Sequence, residues 1–118
     1  MFPGVDIIEI ERFAKACRRQ PKIVDRLFTP RERNDLLGRS IQSWAGRFTA
    51  KEAVLKALGT GLQGITWQDI EIVNGPKGEP LALLSKRAED QVKARGGSAV
   101  RVSISHDRSK AIALAILC

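Results

Sequence analysis

The sequence predicts an α+β fold: an antiparallel sheet packed with one long central helix and shorter helices. Three observations carry that prediction. Helical spacing with clear stop signals fills most of residues 9–58. Strand-like alternation bounded by turn residues fills 65–84 and 100–117. The two kinds of element are grouped along the chain and do not alternate, which separates α+β from a parallel α/β sheet.

The elements follow in order. Residues 4–10 read as a short strand, with Val5, Ile7, Ile8 and Ile10 around Asp6 and Glu9. A first helix is expected from Glu9 to Gln20, where Ile10, Phe13 and Cys17 recur at helical spacing, and Pro21 stops it. A second helical piece runs from Ile23 towards Phe28. Thr29-Pro30-Arg31-Glu32 is a helix start, with Thr29 as N-cap, Pro30 in the first turn and Glu32 completing a capping box; Gly38 ends that helix. The long helix spans Gln42 to Leu58 and stops at Gly59-Thr60-Gly61. Ile65 to Val73 reads as a strand, Asn74 to Gly78 as a turn, and Pro80 to Leu84 as the returning strand. Ser85 to Arg95 suits a polar helix closed by Gly96-Gly97. The end is a hairpin: Val100, Val102 and Ile104 alternate with polar residues, and a turn at 106–110 leads into the apolar run 111–117.

The 118 residues suit a single domain, 1–118, with room for a hydrophobic core. No apolar run approaches the ~20 residues that span a bilayer, so no membrane association is expected. The N-terminus lacks the basic region of a secretory signal, and Cys17 and Cys118 form neither a disulfide framework nor a zinc site. A cytoplasmic protein is expected. The net charge is +7, and eight basic residues against two acidic ones lie between Arg12 and Arg33. Such a surface suits an acidic partner or phosphate groups. A small basic nucleic-acid-binding module is the competing reading, but six aromatic residues, none of them tyrosine, make a poor base-stacking platform.

Several positions stand out chemically. On a helical wheel Lys51 falls in the middle of the apolar face formed by Trp44, Phe48, Leu55 and Leu58, where an ammonium needs a partner or a route to water. Glu52 and Lys56 sit one turn apart at the border of that face, where they can pair with each other. Asp6 interrupts an apolar strand; it is an edge residue, a helix cap, or a ligand for a hard cation. Mg²⁺ takes one or two carboxylates and fills its octahedron with water and phosphate oxygens, so Asp6 with Glu52 would suffice if the fold brought them together. His106, the only histidine, stands at a hairpin turn. Arg12, Lys15 and Arg19 form one cationic stripe on the first helix, which solvates that face or docks an acidic helix.

Gly4-Val5-Asp6 followed by Trp44-Ala45-Gly46-Arg47-Phe48-Thr49-Ala50-Lys51-Glu52-Ala53-Val54-Leu55-Lys56 and Gly59-Thr60-Gly61 resembles the bipartite signature of the phosphopantetheinyl transferases. Asp69 to Ile72, the Gly78-Glu79-Pro80 turn and Ser103 to His106 extend the likeness, and the length resembles the short bacterial holo-[acyl-carrier-protein] synthases. The resemblance implies a Mg²⁺-dependent transfer of 4′-phosphopantetheine from coenzyme A to a serine of apo acyl carrier protein, supporting fatty acid biosynthesis. Adenosine 3′,5′-bisphosphate would be released. It implies Asp6 and Glu52 as metal ligands and Glu52 and Lys56 as the catalytic pair. Arg47, Lys56, Gly59, Thr60, Gly61, Pro80 and His106 would contact coenzyme A. Lys51 would take a phosphate contact or a buried pairing role. Arg12, Lys15 and Arg19 would receive the acidic carrier protein. It also implies a homotrimer with active sites between subunits. Either Glu52, through a water, or Lys56, if its pKa is depressed, would accept the serine proton. Glu79 departs from the pattern, which often has a basic residue there.

Overall fold

The computed structural model describes residues 1–118. In chain order the elements are β1 (Phe2–Glu9), α1 (Ile10–Arg19), α2 (Lys22–Leu27), α3 (Pro30–Leu36) and α4 (Ile41–Leu58). A one-turn 3₁₀ helix (Trp67–Asp69) follows, then β2 (Ile70–Asn74), β3 (Pro80–Leu84), α5 (Lys86–Ala94), β4 (Val100–His106) and β5 (Lys110–Leu117). The α+β class holds, but the strands form two antiparallel sheets where one was expected. These are β1-β5-β4 and the hairpin β2-β3.

Local chemistry sets the helix ends. The Thr29–Glu32 capping box forms as the sequence predicts. The Ser40 and Ser85 hydroxyls accept backbone N–H groups at the starts of α4 and α5. Gly59, at φ +79°, closes α4 in the left-handed conformation that favours glycine. The strand expected to begin at Ile65 begins at Ile70. The Asp69 carboxylate accepts the Thr66 N–H at 2.7 Å and turns the preceding residues into the 3₁₀ helix. Burial alone would raise the Asp69 pKa. Hydrogen bonds from Ser85, the Thr66 backbone and Arg87 outweigh it and bring the carboxyl to about 2.

Helix α4 is the hub. It packs across β1, β5 and β4 and against α1 and β2. A one-sided apolar helix was expected; in the structure only Ile41 and Lys56 of α4 are exposed. Small residues make this possible. Ala50, Ala53 and Ala57 are fully buried, as are Ala111 and Ala115 of β5. No helix is long and apolar enough to cross a membrane.

The three-stranded sheet buries one face and exposes the other. Gly4, Asp6 and Ile8 alternate with Val5 and Ile7, which are 53% and 57% exposed. The register pairs Val5 with Leu114 and Ile7 with Ile112, both also exposed. A contiguous apolar strip therefore covers the side of the sheet away from α4.

Candidate active site

Gly4 determines how Asp6 meets the long helix. A Cβ at position 4 would stand 2.1 Å from the Ala53 carbonyl oxygen and 2.5 Å from the Ala57 nitrogen. Only glycine lets β1 lie directly on the backbone of α4. Two residues on, on the same face of the strand, Asp6 meets the turn of α4 that carries Glu52 and Lys56. Lys56 Nζ donates to Asp6 Oδ1 at 2.9 Å. Glu52 and Lys56, which one helical turn allows to pair, do not form an ion pair; Lys56 turns to the aspartate fifty residues away in sequence.

The electrostatics are those of two acids sharing one cation. Burial raises the pKa of Glu52, the negative charge of Asp6 raises it further, and Lys56 only partly offsets them. The hydrogen bond to Asp6 raises the pKa of Lys56, with the charges of Asp6 and Glu52 adding to it. The acids around Lys56 thus favour its charged form. Glu52 is the group with an elevated proton affinity.

This donor set fits a hard divalent cation. The site offers two carboxylates close enough to feel each other's charge, and no group of three or more His, Cys, Asp or Glu side chains in the chain could hold a metal ion. Mg²⁺ characteristically takes one or two protein carboxylates, leaving positions for water and phosphate. A cation there would also relieve the like-charge stress on Glu52.

The remaining sequence-predicted residues fall into two clefts. Glu52 and Lys56 line an open cleft of about 550 Å³ with Gly59, Gly61, Leu62 and Trp67. Arg47, Pro80 and His106 line a second cleft of about 210 Å³, with Arg39 and Asn74. Arg47 and Glu52 share α4 but are five residues, or about 140°, apart around it. Arg47 is 5% exposed; it donates to the Ile72 carbonyl at 2.8 Å and lies 3.6 Å from Asp35. The His106 side chain is exposed. Thr60 turns its hydroxyl to Gln91. Glu79 folds back on its own turn, accepting the Lys77 N–H. Arg12, Lys15 and Arg19 are exposed on α1, and none of them has an acidic partner within 4 Å.

Lys51 requires a correction. A contact with coenzyme A is excluded because Lys51 is fully buried. Its Nζ lies 2.5 Å from Glu32 and donates to the Leu27 and Trp67 carbonyl oxygens at 2.8 and 3.1 Å. An ammonium has three donors, and all three are used. The buried pairing role is the one it plays.

Residues 3–115 match the family model described as the 4′-phosphopantetheinyl transferase superfamily. The chain belongs to that superfamily. The chain is 45% identical over 118 residues to a holo-[acyl-carrier-protein] synthase of Geobacter sp. (strain M21), covering 97% of this chain and 94% of the relative. Among solved structures it resembles the Helicobacter pylori holo-[acyl-carrier-protein] synthase in complex with coenzyme A. That match has a TM-score of 0.86 and 34% identity, covering 98% of this chain and 99% of the other. It also resembles the Bacillus anthracis synthase in complex with CoA (3′,5′-ADP), with a TM-score of 0.81 and 35% identity, covering 98% and 94%. The protein is thus a phosphopantetheinyl transferase enzyme.

Sequence reading of this transferase missed Glu32. It was recognised as a capping residue, and it is also the fully buried counter-ion of Lys51. One oxygen accepts the Thr29 N–H and the other the Ile72 N–H, each at 2.9 Å. A signal existed: a lysine in the middle of an apolar face requires a buried acid nearby. Arg39 and Asp35, at the second cleft and its arginine, carried no periodic or motif signal.

Proposed function

We propose that residues 1–118 act as one transferase domain that moves 4′-phosphopantetheine from coenzyme A to a serine of apo acyl carrier protein. Mg²⁺ assists, adenosine 3′,5′-bisphosphate leaves, and the reaction serves fatty acid biosynthesis in the cytoplasm. The observation that carries this reading is the pairing of Asp6 with Lys56 beside the raised carboxyl of Glu52, at an open cleft. Asp6 and Glu52 would hold the metal, which when bound neutralises charge on the diphosphate and stabilises the departing phosphate. Lys56 spends one N–H on Asp6 and keeps two for a phosphate oxygen. As the serine oxygen bonds to phosphorus and the bridging P–O bond breaks, the serine proton passes to Glu52 through a water, or to Lys56. Gly59, Thr60 and Gly61 border the phosphates, and Arg47, Pro80 and His106 serve the nucleotide end. Arg12, Lys15 and Arg19 receive the acidic carrier.

The separation of the two clefts favours a site completed by a neighbouring copy, so we take the working form to be a homotrimer. The exposed strip of Val5, Ile7, Ile112 and Leu114 supports self-association, since contiguous exposed apolar side chains often mark an interaction surface. The threefold count comes from the family resemblance. Mass spectrometry of apo carrier protein after incubation with coenzyme A tests the reading. A phosphopantetheine mass gain that requires Mg²⁺ is expected, and no gain with Mg²⁺ present would overturn it.

A further inference from the structure

The segment from Gly59 to Thr66 borders the carboxylate cleft and carries no regular structure. It should be loose. Gly59, Gly61 and Gly64 all take positive φ, and glycine loses the most backbone freedom on being fixed. Two groups outside the cleft grip it. Gln91 of α5 spans the tip: its Oε1 accepts the Thr60 hydroxyl at 2.8 Å and its Nε2 donates to the Gln63 carbonyl at 2.6 Å. The far end is tied from within the core, where Lys51 donates to the Trp67 carbonyl and Glu32 holds Lys51 in place. The Trp67 ring is fixed in turn against Phe48, centroids 5.3 Å apart.

We infer that Gln91 and the Lys51–Glu32 pair are positioning residues that hold the Gly59–Thr66 wall ready for the diphosphate end of coenzyme A. This rests on the transferase reading above. Neither group touches ligand; each removes freedom from a wall that would otherwise be ordered at the expense of binding. The signature is therefore selective. Losing a clamp weakens coenzyme A and leaves the carrier protein, which docks elsewhere, unaffected.

Gln91→Ala is the cleaner test because Gln91 lies on an outer helix away from the buried pair. Two lost hydrogen bonds correspond to a rise in KM for coenzyme A of roughly tenfold. The KM for carrier protein and the melting temperature should stay close to wild type. Amide exchange at Gly61 to Gly64 should quicken in the same variant without any ligand. The double variant Glu32→Gln, Lys51→Met removes the inner clamp without leaving a buried charge alone, and should shift the same KM. A folded Gln91→Ala protein with unchanged coenzyme A KM and unchanged loop exchange would overturn the inference. A parallel loss for both substrates, following a lower melting temperature, would also overturn it, since that is a merely structural effect. An inactive wild type would instead refute the proposed function, so the two failures are separable.

Discussion

Lys51 and Lys56 stand five residues apart on α4 in opposite conditions. Lys51 is sealed in the core with one carboxylate and two carbonyls, and every donor is used. Lys56 is exposed at a cleft with two carboxylates around it and donors to spare. The inner group is complete, and so it can only hold parts together. The outer group carries one more negative charge than positive, is open to solvent, and is left with capacity for a ligand. A charged motif on one helix thus divides its work by whether its partners are satisfied.

The largest expected effect is at the outer group. Glu52→Ala should lower turnover about a thousandfold or more, the several kcal/mol that metal-assisted charge stabilisation supplies, while the fold persists. Near-normal turnover at saturating Mg²⁺ would erase the distinction between the two groups. At the inner group, Lys51→Met strands a buried Glu32. It should cost about 3–5 kcal/mol in stability, read from denaturant titration, and an unchanged midpoint would show that the pair is not what closes the core. Arg12→Ala should raise KM for the carrier protein several-fold, with the difference shrinking as salt is added; a salt-independent defect would deny the electrostatic role.

The smallest effect sharpens the electrostatics. The folded pKa of Glu52 is raised, so its ionisation opposes folding, and the stability present below its ordinary value of 4.5 is lost as pH rises through the folded value. Without metal, Glu52→Gln should therefore melt slightly higher than wild type at pH 7, with the gain vanishing near pH 4. A variant that melts lower at pH 7 would mean that Glu52 is stabilised as an anion.

Much of the fold was legible because its signals are local. The cap at Thr29, the stop at Gly59 and the alternation of β4 involve residues close in sequence, and each appears where expected. The pairing of β1 with β5 joins residues a hundred positions apart, and no local pattern encodes it. The partner of Lys56 was hidden for the same reason: Glu52 is near in sequence, but the hydrogen bond goes to Asp6. The alanines of α4 carry no strong periodic signal, yet their small size is what lets strands cover that side. Of the site, the residue types were readable from the motif; the saturation of Lys51 was not, because its three acceptors come from α2, α3 and the segment before β2.

The bare α-carbon at position 4 has a consequence for anyone altering this protein. The obstacle to a larger residue there is main chain, which no neighbouring side-chain change can move aside. Even alanine would lever the first strand off the central helix and carry Asp6 away with it. Saturation mutagenesis at this position should return glycine alone, because the constraint is the backbone of α4.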